Sequence, residues 1–184
     1  MGPSDIRRVL ATKSKAKTKR TVCALQYHVN RHEGARAPGG LVDRGANGGL
    51  LGKDAKVVTR TGRMADVTGM ANHQETGLEI VNAIAKTNSN IGPVIVHLNQ
   101  YAYHGQGHTI NSALQIEAYK NTVDDKSKAV GGHQRIVTLE GYVIPLKIRN
   151  GLAYMDMCPP TEEEEENLPH VILTSEEERD PCIY

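Results

Sequence analysis

The chain has 184 residues and 20.1 kDa, with 39% hydrophobic and 23% charged residues, no Trp, no Phe and seven Tyr. That length fits one domain with an aliphatic core, able to bury about two-thirds of its unfolded surface, and argues against a coiled coil or a tail-only protein. The net charge of +1 conceals a gradient: residues 1–36 carry nine Lys/Arg against two acids, residues 37–155 twelve against nine, and residues 156–184 one against ten.

No run approaches the roughly 18 apolar residues of a membrane helix, and no apolar block follows a basic start as in a secretory signal. The expectation is an intracellular protein, cytoplasmic or nuclear, without a membrane partner. Cys23, Cys158 and Cys182 are odd in number and far apart, which reads as free thiols in a reducing compartment.

Arg7, Arg8, Lys13, Lys15, Lys17, Lys19 and Arg20 stand among Ser, Thr and Ala with no hydrophobic period, so residues 1–20 read as a basic mobile arm. Residues 7–20 are a possible nucleic-acid contact through phosphates, or a solvated tail. From Thr21 the pattern turns β-rich. Thr21–Val29, Gly39–Asp43, Leu78–Ala85 and Pro93–Leu98 read as strands, and Lys56–Arg60 and Arg63–Thr68 read as two arms of a hairpin around Thr61-Gly62. Ser112–Asn121 is the one short helix expected. Gln134–Thr138 and Tyr142–Ile148 flank a Leu139-Glu140-Gly141 turn, and Asn150-Gly151 turns into Leu152–Met155. Beyond Pro159-Pro160 the run Glu162–Glu166 either caps a helix or stays unstructured. Many short strands with glycine-rich turns predict a mostly-β sandwich or barrel over residues 21–158, followed by an acidic tail at 159–184.

The stretch Gly39-Gly40-Leu41-Val42-Asp43-Arg44-Gly45-Ala46-Asn47-Gly48-Gly49-Leu50 carries the sharpest chemical signal. An apolar strand delivers Asp43 onto a Gly-Ala turn, where glycine permits a tight loop beside a carboxylate. The same string is also an ordinary β-turn pattern. Zinc is a competing reading: Cys23 with His28 and His32, or His104 with His108, have usable spacings. A zinc-knuckle register would fall on Arg20, Cys23, His28 and Glu33, where only two residues are ligands, so these histidines read as surface or core residues. The Gly45–Gly49 turn lacks the spacing and the Lys-Ser/Thr of a phosphate loop. Neither Ser112 nor Cys158 sits in a nucleophile elbow. No metal or other cofactor is expected.

Taken with Tyr27-His28-Val29, Val67–His73, Tyr101–Ile110, Val130–Ile136, Gly141–Leu146 and Leu168–Ser175, the Asp43 stretch resembles the protease-like region of copia-type retrotransposon polyproteins of microalgal type. The resemblance spans roughly Thr21 to Pro181. It implies a retropepsin-like aspartic protease: a closed, mostly-β barrel domain that pairs with a second copy, each contributing one aspartate. Asp43 would be that aspartate, on a dyad loop with Arg44, Gly45 and Ala46. Ile110, Asn111 and Ser112 would form the apolar supporting loop, and Met64–Leu78 a flap centred on Thr68, Gly69 and Met70. Two carboxylates about 3 Å apart share one proton; one then activates water while the other protonates the leaving group. The partners implied are a second copy of the chain and a peptide or polyprotein substrate.

Arg44 departs from the protease pattern, which has Thr or Ser there. A guanidinium is always charged and has five donors, so it cannot replace a small hydroxyl bridged across the dimer axis. Close to the dyad it would ionise both carboxylates; turned outward it would leave them alone. The rival expectation is a non-catalytic binding or assembly module that keeps the fold, its basic arm and acidic tail contacting nucleic acid or protein.

Overall fold

The computed structural model describes residues 39–182. The basic arm, the strand expected at Thr21–Val29 and the Cys23, His28 and His32 set lie outside the described residues.

The chain is mostly β, with a single sheet that curls into a half-barrel. The strands are β1 (Gly40–Asp43), β2 (Leu50–Leu51), β3 (Lys56–Thr68), β4 (Gln74–Ser89), β5 (Gly92–Tyr103), β6 (Ile110–Ser112), β7 (Thr122–Asp124), β8 (Arg135–Val137), β9 (Val143–Arg149), β10 (Leu152–Met155) and β11 (His170–Ile172). Their order is β3-β4-β5-β2-β6-β1-β10-β9-β8-β7, and β11 lies parallel to β5. Two short helices, α1 (Ala113–Ala118) and α2 (Glu162–Asn167), interrupt the strands.

Local chemistry explains most of these elements. Helix α1 starts at Ser112, whose hydroxyl accepts the Gln115 N–H, and its buried side chains are Ala113, Gln115 and Ile116. Asn150-Gly151 joins β9 to β10 with both residues at positive φ, as a tight hairpin turn requires. Helix α2 opens with a capping box between Thr161 and Glu164, and four glutamates fill its positive first turn.

Thr61-Gly62 does not turn the chain, contrary to the expected hairpin. β3 runs straight through it, and its antiparallel partner is β4, with a register shift between Arg60 and Met64. Gly62 takes a positive φ of 75° and Thr61 Oγ1 donates to the Ile80 carbonyl, so the glycine makes a bulge within one long strand. The turn lies at Gly69–His73, where the Gly69 N–H bonds the His73 carbonyl.

Within residues 159–182, set apart by charge as an acidic tail, β11 joins the same sheet. Val171 and Leu173 are fully buried members of the one hydrophobic core, with Val42, Leu98, Ile116, Ile136 and Met155. Lys56 and Lys86 pair with Glu165 and Glu164, tying α2 across β3 and β4. The packed domain therefore extends beyond residue 158 and contains two helices rather than one. Among the described residues no helix is long and apolar enough to cross a membrane.

Candidate active site

β1 and β6 lie side by side and parallel, in register Leu41–Ile110, Val42–Asn111 and Asp43–Ser112. The two segments expected to cooperate, the Asp43 strand and Ile110–Ser112, are thus neighbours, the second as a short strand rather than a loop. At the end of β1 the chain turns sharply: Asp43 Oδ1 accepts the Gly45 N–H at 2.8 Å. A side chain at Gly45 would begin 3.2 Å from that oxygen. Asp43 is half-buried.

The turn is held from three directions. Ser112 Oγ donates to the Ala46 carbonyl at 2.6 Å while also capping α1. Gln115, buried in α1, accepts the Gly49 N–H at 2.8 Å and donates to the carbonyls of Asn99 and Gln100. Tyr101 lies flat beneath Gly49, where any Cβ would meet its ring at 2.3 Å, and its hydroxyl donates to Asn111 Oδ1 at 3.0 Å. Complete burial pushes the Tyr101 phenol far above its usual range, so it stays a neutral donor.

Arg44 supplies the remaining anchor. Its guanidinium donates to both carboxylate oxygens of Glu117 on α1, at 3.0 and 3.1 Å, to Asp125 at 3.2 Å and to the Val123 carbonyl at 3.1 Å. These bonds raise its pKa still further, the Glu117 contact most. Its Nε, NH1 and NH2 all bond to these groups, and none of these bonds is to Asp43.

An open cleft of about 700 Å³ lies between the end of this turn, Asn47–Leu50, and the strand segment Arg63–Thr68 of β3. Residues 178–181 form its third side. Of the expected flap residues, Thr68 is on the cleft wall, whereas Gly69 and Met70 sit at the tip of the β3–β4 hairpin. Asp43 itself is not on that wall.

His104 and His108 do not converge as ligands. His104 Nδ1 lies 3.2 Å from the Gln106 carbonyl, and His108 Nδ1 lies 3.5 Å from the buried carboxylate of Asp54. Among the described residues there is no group of three or more side chains able to hold a metal. Glu117, Asp125, Gln115 and Tyr101 were not singled out by the sequence. They lie 58 to 82 residues from Asp43, and their roles arise only when α1, β5 and the end of β7 pack against the turn.

No family model matches the chain, and none of the curated proteins or solved structures compared with it matches.

Proposed function

We propose that this chain is a retropepsin-like aspartic endopeptidase domain of a retrotransposon-type polyprotein, in which two copies each contribute Asp43. The observation that carries the reading is the pairing of Arg44: its guanidinium is ion-paired with Glu117 and Asp125 and bonds the Val123 carbonyl, so the residue that departs from the protease pattern has its own partners and makes no bond to Asp43. Asp43 keeps a short backbone donor from Gly45 and stands beside Ser112 on a parallel strand pair. The cleft opens at Asn47, four residues along the turn from Asp43, and the β3 segment on its far wall leads to the β3–β4 hairpin, which is the flap in this reading. A retropepsin-like closed barrel and homodimerisation belong to this reading, since one copy supplies only one carboxylate and its sheet is a half-barrel.

In the proposed reaction the two Asp43 carboxyls share a proton across the dimer axis. The ionised one takes a proton from water as that water attacks the peptide carbonyl, and the protonated one donates to the departing nitrogen. The test is cleavage of a peptide library by the full chain between about pH 4 and 7, the range of a shared-proton dyad. Cleavage should fall at least about a hundredfold in Asp43→Asn, the loss expected of a general acid–base group. A folded dimer that cuts nothing across that range would overturn the reading and leave the non-catalytic binding module.

A further inference from the structure

The C-terminal segment changes character at Ser175. Before it, Thr174 is fully buried and locked to Asn99: its hydroxyl accepts the Asn99 N–H at 2.6 Å, and its carbonyl accepts from Asn99 Nδ2 at 2.8 Å. After it, residues 176–182 contain no buried side chain. The segment is nevertheless laid along the cleft by polar contacts. Gln100 Nε2 donates to the Glu176 carbonyl at 3.1 Å, Arg63 Nε meets Glu178 Oε1 at 3.0 Å, and Arg179 donates to the Asn47 carbonyl at 2.9 Å. Arg63 is itself steered by Gln100 Oε1, 3.0 Å from its NH1.

Two features follow from that arrangement. First, Arg63 presents a guanidinium on the cleft wall, already held by Gln100 and already matched to a carboxylate carried on a segment that is neither helix nor strand. Second, its present partner is weakly held, because the Glu178 side chain is 73% exposed and no side chain of residues 176–182 is fully buried.

We propose that Arg63 selects an acidic side chain in peptides entering the cleft, and that Glu178 of the same chain occupies it as an internal competitor. The inference rests on the peptide-cleft reading above and deepens it: the substrate class is an extended peptide with Glu or Asp at the position facing Arg63. Residues 176–181, Glu-Glu-Glu-Arg-Asp-Pro, act as a tethered occupant that incoming peptide must lift, with Ser175 as the hinge. The anchor at Thr174 keeps that movement from reaching the core.

The experiment uses the full chain carrying Asp43→Asn, so that binding is read without turnover. The probe is a fluorescein-labelled peptide of sequence Glu-Glu-Glu-Arg-Asp-Pro, followed by anisotropy. Weakening the competitor with Glu178→Gln should tighten binding of the free peptide up to about fivefold, the worth of one partly exposed ion pair. Arg63→Glu should lose the acidic peptide and gain the version with Lys at its third position; Arg63→Gln, which keeps the polar stem, should lose the preference without reversing it. Far-UV circular dichroism and urea melts of each variant establish that the fold is retained. Equal affinity with and without Glu178→Gln, or an acidic preference that survives both Arg63 variants, would overturn the inference. Because binding is measured in Asp43→Asn, a wild-type chain that cleaves nothing but shows these shifts would sink the protease reading and leave this one standing.

Discussion

Arg44 and Glu117 meet as two forks, with NH1 on Oε2 at 3.0 Å and NH2 on Oε1 at 3.1 Å, across 73 residues of sequence. Planar bidentate pairing of this kind fixes direction as well as distance, which an ammonium cannot do. The guanidinium also reaches Asp125 and the Val123 carbonyl, so one side chain ties the turn after β1 to α1 and to the end of β7. The residue that departs from the expected protease pattern is the one that ties the turn after β1 to the rest of the domain.

Replacing it should therefore cost stability before it changes chemistry. In Arg44→Ser, Glu117 and Asp125 lose their shared cation and Val123 loses a donor. The expected destabilisation is about 1–2 kcal/mol, below the upper range for charged hydrogen bonds because the Arg44 side chain is 44% exposed. Arg44→Lys should recover less than half. Urea denaturation at neutral pH checks both, and an Arg44→Ser chain as stable as the parent would show that the anchor is idle.

Ser112 serves two partners at once, the Gln115 N–H and the Ala46 carbonyl. Ser112→Ala should remove about 1–2 kcal/mol, the usual worth of an N-cap together with a lost hydrogen bond to the turn. Ser112→Thr, which keeps the hydroxyl, should restore most of it. In the proposed reaction the alanine variant should also lower kcat more than it raises KM, because the brace lost at Ala46 lies between Asp43 and the cleft, while the β3 wall and Arg63 keep their contacts.

The packing beneath the turn makes a third expectation. Gly49→Ala would drive a methyl into the Tyr101 ring, which is enclosed and cannot swing aside, and should cost about 1–3 kcal/mol as overpacking does. Tyr101→Phe keeps the ring but orphans Asn111 Oδ1, at about 1–2 kcal/mol. Thermal melts of the two single variants and the double variant would reveal whether the site behaves as one packed unit. Strict additivity would argue that it does not.

Strands β1, β4, β5, β8, β9 and β10, the helix at Ser112 and the turn at Asn150-Gly151 were legible because each is written locally, in alternation, a cap or a turn dipeptide. Thr61-Gly62 misled for the same reason: a turn dipeptide and a bulge share a glycine at positive φ, and only the partner strand decides between them. The acidic segment was misjudged because charge density spoke louder than Val171-Ile172-Leu173, a run too short to declare a strand before β5 offers it an edge. At the site, Asp43 could be named from its own residues, and Ile110–Ser112 only through the resemblance. The Arg44 partners, the Gln115 brace and the Arg63–Glu178 contact could not, since nothing in sequence announces which distant side chains a sheet will bring together.

The edge that receives β11 also carries a pH dependence of defined sign. His97 on β5 and His170 on β11 touch, Nε2 to Nδ1 at 2.8 Å, and His170 Nε2 is 2.7 Å from the Glu165 carbonyl. Burial, and then the neighbouring His170, hold the pKa of His97 below its usual 6.5, with Glu176 and Glu165 pulling more weakly the other way. Above pH 6.5 both folded and unfolded chains leave His97 neutral and the docking of β11 is undiminished. As pH falls below 6.5 the unfolded state takes up the proton first, so stability drains away until the folded chain is protonated as well. Glu164 and Asp124, whose pKa values are also depressed, act only below about pH 4.5, which separates the two effects. Amide exchange at Val171–Leu173, corrected for intrinsic rates, should show lower protection at pH 5.5 than at pH 7.5. His97→Gln should flatten that difference, and equal protection at both pH values in the parent chain would rule out the histidine pair as its source.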